Sequence, residues 1–315
     1  YDSVDVNPGN HGSHGGLFPA TSPERVGVIV VGGTGVTPGT ADADVDFNMK
    51  AGATTTRSMD WDYNYDTWFY GANETDPALD FAVTAARTYK DAAEQELMRV
   101  SSAANDAVMA DVIKLVHEGV TEREIADQML GLYRKHGCEG FSFPPIVSFG
   151  ANAGDPHHEP DDTVLKHGDV VLFDIGGRHR NYCSDMTRTF FWGEPDEETA
   201  RIYDIVRRAN EAAEALIAPG VRMCDLDRAA RDVIEDAGYG KYFTHRLGHS
   251  IGLQDHEPGD VSLVNEQVIE PGMTFSIEPG IYLPGKFGVR IEDVMMLRHD
   301  GAEVITRAPK ELIVL

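Results

Sequence analysis

The sequence predicts an α+β domain made of two related halves over residues 80–315. Three observations predict it. A long helical pattern, a Gly-Val step, a shorter helix and a strand-rich stretch occur in that order twice, with the glycines at Gly119 and Gly220. Gly168-Asp-Val-Val-Leu-Phe-Asp174 and Gly272-Met-Thr-Phe-Ser-Ile-Glu278 each place an acid six residues after a glycine. A second acid then follows each, Asp185 after Asp174 and Glu292 after Glu278. Self-similarity of element order and chemistry together marks a repeated unit around a shared cleft.

Residues 1–24 are rich in Gly, Asn, His, Ser and Pro and read as a loosely draped head. Arg25-Val-Gly-Val-Ile-Val-Val-Gly-Gly33 reads as a buried strand. The glycines that follow mimic a phosphate loop, but Pro38 interrupts them and no helix pattern opens, which excludes one. Residues 59–70 alternate aromatics with Asp60, Asp62, Asn64 and Asp66. A calcium loop is excluded because its sixth and twelfth positions hold Tyr65 and Gly71, so a half-buried strand or loop is expected. A helix is expected over 91–118, stopped at Gly119. Thr121-Glu-Arg-Glu124 is a capping box opening a second helix through Lys135. Strands are expected over 141–192, helices over 197–218 and 225–237, and strands from there onward. The expected division is a segment over 1–84, a shortened or incomplete α/β domain, and a second domain over 85–315.

Composition sets limits on function. With 27 Lys+Arg against 52 Asp+Glu, the net charge is −25, which repels polyanions and argues against a nucleic-acid surface. The 8 lysines among those 27 cations, and the acidic excess, fit a solubilising surface or adaptation to high salt. No stretch is long and apolar enough for a membrane helix or a signal peptide, so neither is expected. Cys138, Cys183 and Cys224 match neither a zinc pattern nor a redox pair, which points to a reducing, cytoplasmic compartment.

The repeated acids carry the chemistry. Asp174 and Glu278 each end an otherwise apolar run, and a carboxylate there is costly unless it is paired or bound to a cation. One such acid is commonly a salt bridge or a strand-end cap. Four at matched positions would repel one another and raise their own pKa values, and a pair of divalent cations is the simplest neutralising solution. Oxygen ligation with an imidazole suits Mn, Co, Fe or Zn. The imidazole is sought in Thr244-His-Arg-Leu-Gly-His-Ser-Ile-Gly-Leu253, whose glycines indicate a loop-to-strand passage. His157, His158, His245, His249 and His256 all lie in short Gly/Pro-rich segments bordering the acids, and His249 stands out as the functional one.

These residues resemble the metal-dependent peptidases of the pita-bread fold, close to prolidase and aminopeptidase P. The resemblance covers residues 85–315 and is carried by several motifs. They are His157 in Asn-Ala-Gly-Asp-Pro-His, Asp174 in Phe-Asp-Ile-Gly, and Asp185 in Tyr-Cys-Ser-Asp-Met-Thr-Arg-Thr. The others are His249 in Leu-Gly-His-Ser-Ile-Gly-Leu, His256 in Asp-His-Glu-Pro, Glu278 in Ile-Glu-Pro-Gly-Ile-Tyr and Glu292 in Gly-Val-Arg-Ile-Glu-Asp. The resemblance implies a pita-bread catalytic domain of two pseudo-symmetric halves. It implies two divalent ions per chain, manganese first, with cobalt, zinc or iron as alternatives. The implied ligands are Asp174, Asp185, His249, Glu278 and Glu292, with Asp185 and Glu292 bridging both ions. Two cations lower the pKa of a shared water and so create a nucleophile near neutral pH. Glu278 would manage its proton, His256 and His245 would stabilise the oxyanion or contact substrate, and His157 would position the substrate amine or the leaving proline nitrogen. Arg290 would orient substrate or pair within the acidic cluster, and Asp293 would support the ligand beside it.

The implied activity is hydrolysis at Xaa-Pro bonds, as a dipeptidase in the first instance and as an aminopeptidase P on longer peptides in the second. A dipeptidase needs a cation for the free carboxylate. No Arg or Lys lies between His256 and Glu278, so the cation would come from Arg290, Arg246 or elsewhere in the chain. Methionine aminopeptidase fits the motifs less well. A catalytically silent peptide-binding protein, a creatinase-like hydrolase and an iron lyase on the same fold are the other classes. The implied partners are small proline-containing peptides, with no nucleic acid and no membrane, in a homodimer.

Overall fold

A computed structural model describes residues 49–51, 55–57 and 86–315. The expected strand at 25–33, the aromatic stretch at 59–70 and the draped head lie outside the described residues. The chain divides between Arg87 and Thr88. From the first unit the structure describes one antiparallel pair, β1 (Met49–Ala51) with β2 (Thr55–Arg57).

The second unit opens with α1 (Ala92–Val112), started by a capping box in which Asp91 accepts from Ala93 and Glu94 N–H while Glu94 accepts from Asp91 N–H. The helical pattern expected to reach residue 118 ends earlier, through one tight turn at 113–115. Val116 is buried and turns extended, with ψ 121°, and beyond Gly119 the Val120 carbonyl accepts from Leu165 N–H. The Thr121–Glu124 box opens α2 (Glu122–Lys135) as its sequence predicts. Then come β3 (Gly140–Phe141), β4 (Ile146–Phe149), β5 (Val170–Ile175), β6 (Gly177–His179), β7 (Tyr182–Cys183) and β8 (Met186–Phe191).

The second half follows with α3 (Glu197–Glu214) and α4 (Met223–Asp236). Its strands are β9 (Gly248–Ser250), β10 (Glu257–Val261), β11 (Thr274–Ile277), β12 (Gly280–Leu283), β13 (Phe287–Arg290), β14 (Asp293–Arg298) and β15 (Gly301–Val304). The order β4-β5-β8 in the first antiparallel sheet corresponds to β9-β11-β14 within the second, which adds β10 and β15 at its edges. The hairpin β6-β7 corresponds to β12-β13.

The repetition extends to single hydrogen bonds. Gly119 and Gly220 both adopt positive φ, 85° and 92°, a region open to glycine without strain. The next residues, Val120 and Val221, accept from Leu165 and Ile269 N–H. Thr121 bridges Val164 and Arg222 bridges Val268. The Asn105 amide on α1 donates to the Ile175 carbonyl at 2.9 Å, and the Asn210 amide on α3 donates to the Ile277 carbonyl at 3.0 Å.

Two apolar clusters form, one within the first half and one that joins the second half to Val170, Leu172 and Phe191. Val108, Val112, Ile125 and Met129 pack with Val147, Phe173 and Ile175. Ile202, Val206, Ala209 and Leu226 pack with Phe275, Ile277 and Met295. Burial of these side chains at roughly 25 cal/mol per Å² drives each helix pair onto its sheet, and the helix asparagines fix where it lands.

If the two asparagines are equivalent fasteners, Asn105→Ala and Asn210→Ala should each leave a buried carbonyl without its donor. Each should cost about 1–3 kcal/mol in urea unfolding. A cost confined to one of the pair would break the equivalence.

Candidate metal centre

Antiparallel register brings the acids together. In the first half Asp174 lies on β5 and Asp185 immediately precedes β8, with Ile175 paired to Met186. In the second, Glu278 immediately follows β11 and Glu292 immediately precedes β14, with Ile277 paired to Asp293. Each hairpin between them folds back, so its two flanking acids meet at the same sheet end.

The halves are then stitched across. Glu292 N–H donates to the Thr187 carbonyl at 3.1 Å, and the Thr187 hydroxyl donates to Glu292 Oε2 at 2.7 Å. Arg188 is buried and donates to the Glu292 carbonyl at 2.6 Å and to Asp293 Oδ1 at 2.7 Å. Arg290 reaches back to Asp174 Oδ2 at 2.5 Å.

His249 sits on β9, in the loop-to-strand passage the sequence indicates. A Cβ on Gly248 would lie 2.0 Å from the Ser276 carbonyl oxygen, so only glycine lets β9 approach β11 there. The Ser276 hydroxyl accepts from His249 N–H at 3.0 Å and donates to Glu278 Oε1 at 3.2 Å. His249 Nδ1 faces the Ser250 carbonyl at 3.2 Å. A carbonyl only accepts, so Nδ1 carries the proton and Nε2 keeps a free lone pair. That Nε2 lies 3.4 Å from Asp185 Oδ2 and 3.5 Å from Glu278 Oε1. Burial, followed by the neighbouring His256, pushes its pKa down to about 3, which keeps the ring neutral.

All five sequence-predicted ligands line one cavity of about 460 Å³. Donor atoms of Asp185, His249 and Glu292 lie within 4.8 Å of one another. Asp174 Oδ1, Asp185 Oδ1 and Glu292 Oε1 are buried with no hydrogen-bond partner. Burial and the surrounding carboxylates raise Asp185 and Glu292 well above the usual range. Burial raises Glu278 to about 8. Orphaned carboxylate oxygens beside a neutral imidazole nitrogen fit divalent cations of the Mn, Fe, Co and Zn group. A second cluster, Glu122, His158 and Asp161, differs. There Glu122 accepts from Phe149 N–H, Asn152 and Asp161 N–H and pairs with His158 at 2.7 Å. Its oxygens are satisfied, and it anchors the loop that carries His157. His158, counted among the bordering histidines, belongs to that anchor.

The remaining expected residues divide. His157 and His256 are exposed on the cavity rim, and the His256 ring lies 3.9 Å from the His249 ring, centroid to centroid. His245 has both nitrogens engaged, Nδ1 by the Arg246 carbonyl at 2.7 Å and Nε2 by the Tyr282 hydroxyl at 2.9 Å. Burial and then Arg290 lower its pKa to about 3. The carbonyl places its proton on Nδ1, so Nε2 accepts from Tyr282 and cannot donate to an oxyanion. Of the two expectations for Arg290, the ion pair is what the structure shows. It is 3% exposed and donates to Asp174, Tyr282, Thr187 and the Pro156 carbonyl. Asp293 beside Glu292 pairs with Arg188 and Lys310.

Sequence reasoning missed four residues. Asp255 lines the cavity, and burial followed by the Asp174 charge raises it to about 7. Its signal was its place inside the Asp-His-Glu-Pro motif. Tyr282 and Thr187 carry the hydrogen bonds above, and both lie inside quoted motifs. Lys310 lies outside every motif.

Comparison with known proteins gives a consistent result. The profile of metallopeptidase family M24 matches residues 96–299. A Staphylococcus aureus protein (strain bovine RF122 / ET3-1), named as an uncharacterized peptidase, is 43% identical over 234 residues, 74% of this chain and 66% of that protein. The chain therefore spans 66% of the length of that relative. Among solved structures, an X-Pro aminopeptidase from Thermotoga maritima MSB8 is 37% identical with TM-score 0.73, covering 75% of this chain and 67% of the other. An Xaa-Pro dipeptidase from Bacillus anthracis is 38% identical with TM-score 0.73, covering 74% and 66%. A prolidase from Thermococcus sibiricus is 40% identical with TM-score 0.74, covering 75% and 65%. The expected pita-bread fold is borne out.

The carboxylates set a pH dependence. In metal-free protein Glu278 rises from the ordinary 4.5 to about 8 and Asp255 from 3.8 to about 7. A raised carboxylate favours its protonated form in the fold, so its stabilisation is full below the unfolded pKa and is lost as pH rises through the folded one. Chelated protein should lose melting temperature between about pH 5 and 8, and the increment from added Mn²⁺ should grow over the same window. An increment that shrinks with pH would contradict the clustered carboxylates.

Proposed function

Since the chain belongs to metallopeptidase family M24, we propose that it hydrolyses Xaa-Pro bonds with two divalent cations, as an Xaa-Pro dipeptidase. The observation that carries this reading is the convergence of four carboxylates and a neutral imidazole on one cavity, with three buried carboxylate oxygens left unpartnered. Asp174, Asp185, His249, Glu278 and Glu292 hold the pair, with manganese the first candidate. When bound, such a pair supplies Lewis-acid polarisation of a carbonyl and a lowered pKa for water.

The chain's own residues do the rest. Glu278, hydrogen-bonded by Ser276 on Oε1, accepts the proton of the attacking water and can return it to the leaving nitrogen. The proline nitrogen carries no hydrogen in the peptide, so it must be protonated to leave. His157 stands on the rim, on a loop whose Pro156 carbonyl is held by Arg290, and faces the amine or that nitrogen. His256, beside the His249 ring, donates to the developing oxyanion. His245 contacts substrate through its ring, since both nitrogens are engaged.

Chain-length preference rests on the arginines. Arg290 is committed to Asp174, while Arg246 lines the same cavity and is exposed. Arg246 is therefore the cation for a dipeptide carboxylate. The second reading, an aminopeptidase P, is favoured by the likeness to the Thermotoga maritima structure named as an X-Pro aminopeptidase. The three free cysteines support a reducing, cytoplasmic setting. A homodimer completes the reading, and light scattering checks it.

Two experiments test this. An Xaa-Pro and Xaa-Pro-Yaa panel with Mn, Co or Zn should show faster dipeptide turnover that EDTA abolishes, and Arg246→Ala should raise KM for dipeptides selectively. Tripeptide preference would favour the second reading. In parallel, His249→Ala should lose metal and turnover together. His256→Ala should keep both ions and turn over about 100-fold more slowly. Metal loss from the His256 variant alone would reverse these roles.

A further inference from the structure

Both glutamates of the second half follow a residue whose carbonyl accepts from a single side chain. The Asn210 amide nitrogen donates to the Ile277 carbonyl at 3.0 Å and makes a longer 3.5 Å contact with the Ile291 carbonyl. Those carbonyls belong to the residues just before Glu278 and Glu292. What orients the amide lies far along the chain. Lys310 Nζ donates to Asn210 Oδ1 at 2.8 Å, lies 2.7 Å from Asp293 Oδ2 and donates to both Glu214 oxygens at 2.7 Å.

An ammonium has only donors, so the amide oxygen must face it and the amide hydrogens must face the two carbonyls. The same ammonium neutralises Asp293, one residue past Glu292. Among the described residues, no cation takes this place in the first half. There the Tyr133 hydroxyl donates to Asn105 Oδ1 at 2.6 Å, and the Asn105 amide serves Ile175, next to Asp174.

We propose that Lys310 is a positioning residue for the second-half ligands, setting Glu278 through Asn210 and Glu292 through Asn210 and Asp293. This rests on the reading of both glutamates as metal ligands. The backbone around Lys310 is held independently of its side chain. Arg188 donates to the Ala308 and Pro309 carbonyls, and the Tyr203 hydroxyl donates to the Lys310 and Glu311 carbonyls. Removing the ammonium therefore leaves the chain path in place and releases the amide and the Asp293 carboxylate.

Mn²⁺ alone, titrated calorimetrically into metal-free protein, tests this alongside thermal unfolding. Wild type should bind about two ions. Lys310→Met should unfold cooperatively yet bind Mn²⁺ about 10- to 100-fold more weakly, the size of effect seen when ligand-orienting partners are lost. Lys310→Arg should recover affinity, since it restores a cation at the same place. Lys310→Met combined with Glu214→Gln removes the Glu214 charge that would lose its partner, while Asp293 keeps Arg188, so it carries the test even where the single variant does not fold. It should regain stability while still binding weakly. Wild-type affinity in either Lys310→Met background would overturn the proposal. Wild-type protein that binds no Mn²⁺ would sink the metal reading and this proposal with it, a failure visible before any variant is made.

Discussion

Everything in this domain depends on holding four carboxylates at one buried point. Like charges at such distances in a poorly solvated pocket oppose each other by several kcal/mol, and desolvation adds to the cost. The fold answers with strand register and with a few cations, of which Arg188 and Arg290 are buried. Strand register delivers each pair of acids to one sheet end, so their separation is set by backbone and not by flexible side chains. Arg290 offsets Asp174 directly. Arg188 and Lys310 offset Asp293 behind the cluster. The uncompensated remainder, on Asp185, Glu278 and Glu292, is what a bound cation would relieve.

The two halves share a scaffold but not a task. Glycine turns, strand order, hairpins and helix asparagines recur at corresponding places. The anchors have diverged. In the first half Glu122, at the start of α2, secures the loop that carries His157, whereas the corresponding helix start in the second half bears Met223, buried in the core. The first half thereby presents a rim loop to the cavity, and the second supplies the histidine and both glutamates.

Much of this was legible in the residues. The duplicated Gly-to-acid spacing showed the two-half architecture because strand ends and turns are encoded locally. Asp174 and Glu278 stood out because an acid ending an apolar run conflicts with burial, whereas the set of five ligands came only from the resemblance. Helix ends were less legible. The 91–118 pattern overran because Val116 suits either a helical face or an extended, buried segment, and the backbone turns extended at Val116, with ψ 121°. Arg290 was readable as a clamp or as an ion-pair partner, and only the fold sets it against Asp174. Lys310 could not be found from spacing at all, since its partners lie at Asn210, Glu214 and Asp293.

The path of residues 306–315 bears on biosynthesis. Asp106 on α1 accepts from Arg307 and Ala308 N–H, Arg188 holds the next carbonyls, and Leu315 N–H donates to the Phe191 carbonyl. Synthesis runs from the amino end, so both helix pairs and all the described strands precede this segment along the chain. The ammonium beneath the two glutamates arrives after them. A chain interrupted short of Lys310 would thus lack the ammonium that pairs with Asp293 and orients Asn210, however well the preceding elements had formed.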